Sequence, residues 1–148
     1  MLVKDILTEP LKNFGLIKNS EVDAKAAELL EMVELPAEFK DRYPHSMSGG
    51  QRQRLGIARA LALEPKIIVC DEATSALDSA TEQKILYNLM HACEGRTCII
   101  TTHRPSVLGM CDRVYRVSDG TVQLLDQAQI DQIRFRGGVG RETAAPAT

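Results

Sequence analysis

The sequence predicts an α/β fold in which a helical N-terminal part is followed by part of a parallel sheet. Residues 67–70 form a short unbroken apolar run, and residues 97–102 form a second strand-like segment. Such runs are typical of strands buried on both faces, as in a parallel sheet. Residues 1–43 instead carry apolar side chains at helical spacing.

Composition limits the classes of protein to consider. The chain has 148 residues, 44% of them hydrophobic and 26% charged, with a formal net charge of −2. These values fit one globular domain, or part of one, and exclude collagen-like, disordered and coiled-coil classes for most of the chain. The near-neutral charge, with 3 Phe, 3 Tyr and no Trp, argues against a nucleic-acid partner.

The expected location is the cytoplasm. No apolar run approaches the roughly 18 residues that a membrane span needs, and the first residues lack the apolar segment of a secretory signal. The 4 cysteines form no CxxC pair and no zinc-type spacing. Reduced thiols are therefore expected rather than disulfides or a metal site.

Two amphipathic helices are predicted in the N-terminal part. Pro10 is expected to break or restart the first, and Ser20 to cap the second. Their apolar faces consist of Ile6, Leu7, Leu11 and Phe14 in the first helix and of Ala26, Leu29, Leu30 and Val33 in the second.

The elements that follow are bounded by capping and turn residues. Ser48 precedes a helix over residues 51–63, and Ser79 with Glu82 forms a capping box that opens another helix. After the second strand, residues 107–111 suggest a short helix. Asp119-Gly120 is a hairpin signal between strands 114–117 and 121–125. From residue 134 the chain has the composition of a disordered tail.

Three groups of residues could carry chemistry. Ser48-Gly49-Gly50-Gln51 stands at a helix start, where free N–H groups and the helix dipole favour an anion, although such a sequence is also a common loop and cap. Asp71-Glu72 ends a buried strand, where one carboxylate can hold Mg²⁺ and the next can polarise a water, unless both are ordinary loop acids. His103 ends the second strand; a lone histidine is more often structural.

Taken in order, these motifs resemble the ATPase domain of ABC transporters. The resemblance rests on residues 47–54 (MSGGQRQR), residues 67–78 (IIVCDEATSALD) and Thr102-His103, and it covers about residues 1–127. It implies a partial P-loop NTPase fold of the ABC ATPase type, with ATP and Mg²⁺ as cofactors. Met47 replaces the usual leucine, a swap of similar volume that should matter little.

The resemblance also implies roles for the matching residues. Ser48, Gly49, Gly50 and Gln51 correspond to the signature motif, which contacts the γ-phosphate of ATP held by the opposite subunit. Asp71 ends the Walker B strand near Mg²⁺, and Glu72 is the catalytic base. Asp78 belongs to the D-loop at the dimer interface, and His103 is the switch histidine.

The Walker A loop of the family, G-x-x-x-x-G-K-[ST], has no counterpart, because the sequence contains no Gly-Lys dipeptide. We therefore interpret the chain as the C-terminal part of an ATPase domain, with Met1 either an internal methionine or an artificial start. The expected partners are a Walker A-containing half, a second ABC ATPase domain and a transmembrane transporter subunit. This arrangement implies a peripheral position on the cytoplasmic side of the cell membrane.

The domain boundaries follow from the same match. We assign residues 1–47 to a helical subdomain, residues 48–127 to the signature helix with the Walker B and switch part of the core, and residues 128–148 to a C-terminal extension. Residues 137–148 are expected to be disordered.

The function implied is ATP hydrolysis that powers transport of an unknown substrate. Residues 2–63 resemble ATPase subunits of peptide importers, whereas residues 71–117 resemble exporter ATPase domains. One alternative is a non-hydrolysing regulatory or assembly subunit that donates its signature motif to a partner. Another is a chromosome-maintenance or repair ATPase, which the charge and the few aromatic residues disfavour.

Overall fold

The computed structural model describes residues 1–139, with side chains as far as residue 136. The chain forms two units, residues 1–101 and the part that starts at residue 102. Within the first unit, helices precede a small parallel sheet, as the sequence predicts.

The helical part contains α1 (Val3–Asn13) and α2 (Val22–Met32), with short 3₁₀ turns at Asn19–Glu21, Ala37–Asp41 and Pro44–Ser46. Most of the predicted apolar face is buried: Leu7, Leu11, Ala26, Leu29, Leu30 and Val33. The backbone N–H of Val3 donates to the carbonyl of Arg42 at 2.9 Å, which joins the start of α1 to the segment after α2.

Three predictions about this part are wrong. Helix α1 continues through Pro10; a proline there removes the bond to the carbonyl four residues earlier and crowds that carbonyl, but the burial of Leu7 and Leu11 on either side offsets this cost. Phe14 lies beyond the helix and is 70% exposed. Ser20 does not cap α2, because it lies inside a 3₁₀ turn whose Glu21 carboxylate accepts from the N–H of Lys18 at 2.8 Å.

The second half of this unit follows the order helix, strand, helix, strand. The elements are α3 (Gly49–Leu61), β1 (Ile67–Asp71), α4 (Ser79–Ala92) and β2 (Thr97–Thr101). The two strands are parallel, with Ile67 opposite Thr97 and Asp71 opposite Thr101. Both strands therefore end at the same edge of the sheet.

Only one face of this sheet is covered. Ile68 and Cys70 are buried, but Ile67, Val69 and Ile99 are 62%, 65% and 50% exposed. The expectation of strands buried on both faces is thus wrong for the described residues. An unbroken apolar run shows that both faces of a strand are suited to burial, but it does not show which layers pack against them.

The N-cap of α4 lies one residue earlier than predicted. Asp78, rather than Ser79, is the N-cap, and its Oδ1 accepts from the N–H of Thr81 at 3.0 Å. Glu82 does not close a capping box. Glu82 is 1% exposed, and its carboxylate accepts from the hydroxyl of Thr74 at 2.6 Å.

The second unit contains α5 (Pro105–Leu108), β3 (Tyr115–Ser118), β4 (Thr121–Leu124) and α6 (Gln127–Val139). Strands β3 and β4 form the predicted antiparallel hairpin. Asp119 and Gly120 have φ values of 51° and 72°, as a two-residue hairpin turn of this kind requires. Val114, Leu125 and Ile130 form a small buried core.

Helix α6 corrects part of the predicted tail, because residues 134–139 are helical. The rest of the segment predicted to be disordered, residues 140–148, lies outside the described residues. The 4 cysteines form no disulfide among the described residues, and two of them are buried; their reduced state stays a prediction. No helix within residues 1–139 is long and apolar enough to cross a membrane.

Candidate functional site

The first candidate group lies at the N-terminus of α3. Ser48 is its N-cap: the hydroxyl accepts from the N–H of Gln51 at 3.3 Å, and the Gln51 side chain accepts from the N–H of Ser48 at 2.9 Å. This reciprocal pair fixes the first turn of the helix. The predicted cap is confirmed, and the positive end of the helix dipole points outward from it.

The two glycines of this group have different surroundings. A Cβ at Gly49 would meet nothing within 4 Å, so this side of the helix start is open. A Cβ at Gly50 would lie 3.1 Å from the carbonyl oxygen of Ala76 and 3.3 Å from a methyl of Leu77. Gly50 therefore lets the loop after β1 approach the helix closely.

The second candidate group lies where β1 ends, and Thr101 of β2 links its two carboxylate residues. The Thr101 hydroxyl donates to Oδ1 of Asp71 at 2.5 Å and accepts from the N–H of Glu72 at 3.2 Å. The same N–H lies 3.3 Å from the carbonyl oxygen of Thr101. One hydroxyl on the neighbouring strand thus orients the Asp71 carboxylate and the Glu72 backbone together.

Glu72 has an unusual backbone. Its φ is 46°, in the left-handed region that residues other than glycine rarely adopt. Both carboxylate residues are exposed. Strained positions of this kind are concentrated at functional sites.

Residues 72–78 form the loop between β1 and α4, and two helices hold it. From α3, the Gln53 side chain donates to the carbonyl of Glu72 at 3.3 Å and to the hydroxyl of Ser75 at 3.1 Å, and accepts from the N–H of Ala76 at 3.0 Å. From α4, the buried Glu82 accepts from Thr74. The loop therefore has fixed contacts along most of its length.

Asp78 is the last residue of this loop, and its pKa is lowered. The backbone N–H of Thr81 is the main cause that lowers the pKa of Asp78 below its ordinary value of 3.8, and the Thr81 side chain adds to the effect. A carboxylate that accepts hydrogen bonds at a helix start is stabilised in its charged form. Asp78 is thus an anion at the exposed edge of the loop.

His103 belongs to the second unit and is exposed. Nearby, the hydroxyl of Thr102 accepts from the N–H of Arg104 at 3.0 Å, a local turn contact. The predicted action of His103 beside Glu72 stays a prediction. The other two histidines, His45 and His91, are exposed as expected.

The structure thus brings the start of α3 and the loop that carries Glu72 and Asp78 together in one unit. Sequence reasoning missed Gln53, Thr101 and Thr74 as residues that hold this site. Gln53 follows Gly50 by three positions, which places both on one helix face. That spacing was the available signal.

A divalent metal at this site would depend on few protein ligands. Among the described residues, no cluster of three or more His, Cys, Asp or Glu is arranged to hold a metal ion. Mg²⁺ commonly binds through one or two carboxylates together with water and phosphate. The exposed, oriented carboxylate of Asp71 suits that mode.

Comparisons with known proteins agree with the family resemblance. The ABC transporter family profile matches residues 3–75. The methionine import ATP-binding protein MetN of Clostridium acetobutylicum is 46% identical over 118 residues, which are 77% of this chain and 36% of MetN. The oligopeptide transport ATP-binding protein OppF of Streptococcus mutans is 46% identical over 112 residues, which are 73% of this chain and 36% of OppF.

A solved structure supports the fold. A dimeric ATP-binding cassette in a post-hydrolysis state, bound to ADP and Pi, superposes with a TM-score of 0.75 at 33% identity. The match covers 85% of this chain and 57% of the cassette. The chain spans about a third of the length of the curated relatives MetN and OppF, 36% of each.

The predicted resemblance to importer ATPases is confirmed by these relatives, whereas the exporter resemblance of residues 71–117 stays a prediction. The fold and the related sequences agree with the family that the signature and strand-end motifs resemble. The chain belongs to the ABC transporter ATPase family and contains part of its ATPase domain.

Proposed function

We propose that this chain supplies the signature and Walker B elements of an ABC-type ATPase whose ATP hydrolysis powers transport across a membrane. The observation that carries the proposal is the strand-end pair Asp71 and Glu72, oriented by the single hydroxyl of Thr101. Relatives named as ATP-binding proteins of methionine and oligopeptide import support it.

Asp71 and Glu72 divide the chemistry between them. Asp71 would hold Mg²⁺, which when bound neutralises charge on the transferred phosphate. Its Oδ1 accepts from Thr101, and no other hydrogen bond reaches the carboxylate within the described part of the chain, so an oxygen remains for the metal. Glu72 acts as the general base that takes a proton from the attacking water.

The remaining predicted residues contact nucleotide or partner. Ser48, Gly49, Gly50 and Gln51 would meet the γ-phosphate of an ATP held by a second ATPase domain. The open side of Gly49 and the helix dipole support this role. The anionic Asp78 would lie at the dimer interface, and His103 would contact the same phosphate as Glu72.

The proposed partners follow from the family. A Walker A-bearing half would grip the triphosphate, and a transmembrane subunit would receive the motion of closure. Residues 1–43 are proposed to contact that subunit, which puts the chain on the cytoplasmic face of the membrane. The same proposal includes domain boundaries at residues 47 and 127, and it includes no nucleic-acid partner.

The test compares ATP hydrolysis by the chain alone and by the chain assembled with a polypeptide that carries a Walker A loop. The chain alone should give no steady phosphate release, because nothing in its sequence matches that phosphate-binding loop. The assembly should hydrolyse Mg-ATP, and Glu72→Gln should retain ATP binding and dimer closure while it slows hydrolysis by about 10²–10⁴-fold.

Three results would overturn parts of this proposal. Near wild-type turnover by the Glu72→Gln assembly would remove Glu72 from its role as base. ATP binding by the assembly without turnover would favour the alternative of a non-hydrolysing subunit that donates its signature motif. Micromolar binding and turnover by the chain alone would mean that the phosphates bind elsewhere.

A further inference from the structure

Both the nitrogen and the oxygen of the Gln53 side-chain amide form hydrogen bonds to the loop of residues 72–78. Its Nε2 donates to the carbonyl of Glu72 and to the hydroxyl of Ser75, at 3.3 and 3.1 Å, and its Oε1 accepts from the N–H of Ala76 at 3.0 Å. A glutamine amide offers two N–H donors and one carbonyl acceptor. These contacts therefore engage both kinds of group.

The loop that Gln53 holds contains the left-handed residue Glu72. Residues other than glycine rarely adopt this conformation, so surrounding contacts must maintain it. The N–H of Glu72 is fixed by Thr101 of β2, and its carbonyl is fixed by Gln53 of α3. The peptide groups on both sides of the strained Cα thus have partners on different elements.

Gly50 makes this contact possible. It lies one turn before Gln53 on α3, and a Cβ there would approach the carbonyl oxygen of Ala76 to 3.1 Å. Without a side chain at Gly50, the loop packs against the helix backbone, and the amide of Gln53 can reach three groups of that loop.

We propose that Gln53 is a positioning residue that couples the signature helix to the loop carrying Glu72, and so sets the direction of the Glu72 carboxylate. The inference rests on the proposed function of Glu72 as base. Gln53 itself is not proposed to touch nucleotide. Its effect on hydrolysis passes through the backbone of residues 72–76.

The first test measures amide hydrogen exchange in the chain by NMR. Gln53→Ala should speed exchange at the Ala76 amide about 5- to 10-fold, as expected for the loss of one hydrogen bond. Amides in the centre of α4, such as that of Leu86, should change less than twofold. Arg52→Ala is the matched control, because Arg52 is exposed on the same helix.

The second test measures turnover in the assembly with a Walker A-bearing partner. Gln53→Ala should lower kcat about 10-fold or more with KM nearly unchanged, because misplacement of a catalytic group acts on the reaction rather than on binding. Gln53→Glu keeps the acceptor for the Ala76 amide and loses both donated bonds. It should therefore lower kcat while exchange at Ala76 stays within twofold of wild type.

Three results would overturn the inference: unchanged exchange at Ala76 in Gln53→Ala, an equal rise at every amide, or wild-type kcat in either variant. An assembly in which the wild-type chain gives no turnover counts against the proposed function. The exchange comparison needs no ATP, so it still decides whether Gln53 holds the loop.

Discussion

The buried pair of Thr74 and Glu82 provides a sharp test of what holds the loop to α4. Thr74 is 9% exposed and Glu82 is 1% exposed, and their side-chain oxygens lie 2.6 Å apart. Thr74→Val keeps the shape and removes the donor. A hydrogen bond to a charged group contributes about 1.5–3 kcal/mol, so the free energy of unfolding should fall by that amount.

Urea unfolding followed by circular dichroism measures this change. With a slope of about 2 kcal/mol per M, the midpoint should move down by about 1 M. Thr97→Val is the control, because Thr97 is exposed on β2 and should change the midpoint little. A loss below about 0.5 kcal/mol for Thr74→Val, the usual size of a surface substitution, would refute the argument that this bond secures the loop.

Three further predictions concern the predicted site residues. Ser48→Ala should lower the free energy of unfolding by about 1 kcal/mol through loss of the N-cap, and Ser48→Asp should restore it in the same urea assay. The pKa of Asp78 in the folded chain is lowered below 3.8. The stabilisation by its carboxylate is therefore complete above the unfolded pKa and is lost as the pH falls through the folded pKa. Urea unfolding below about pH 4 should show this loss of stability in the wild type and a smaller loss in Asp78→Asn. His103→Ala should reduce turnover of the assembly while leaving the urea midpoint unchanged, and an equal loss of folded protein would mean that the histidine is structural.

Local signals in the sequence predicted most elements of the fold. The apolar run before Asp71 gave a strand, and Asp119-Gly120 gave a hairpin with both turn residues at positive φ. Prediction failed where the outcome depends on neighbouring layers. The apolar run could not indicate that Val69 faces solvent, and the Ser79–Glu82 spacing could not indicate that Glu82 is buried against Thr74.

The sequence predicted the individual residues of the candidate site but not the contacts that hold them in place. The acidic pair after a strand and the serine before a helix are visible in the sequence. The contacts of Gln53 and Thr101 arise because α3 and β2 approach the same loop. Such contacts join residues that lie 19 to 30 positions apart, and spacing alone does not encode them.

At Glu72, the residue types that best suit the left-handed backbone differ from the one that the proposed function needs. Asparagine adopts this conformation more readily than glutamate, and glycine adopts it without steric cost. Replacing Glu72 by either would relieve backbone strain and remove the carboxylate at the same time. A selection of variants for thermal stability alone would therefore enrich loss of the proposed base, so an engineered stable form of this chain should be screened with residue 72 held fixed.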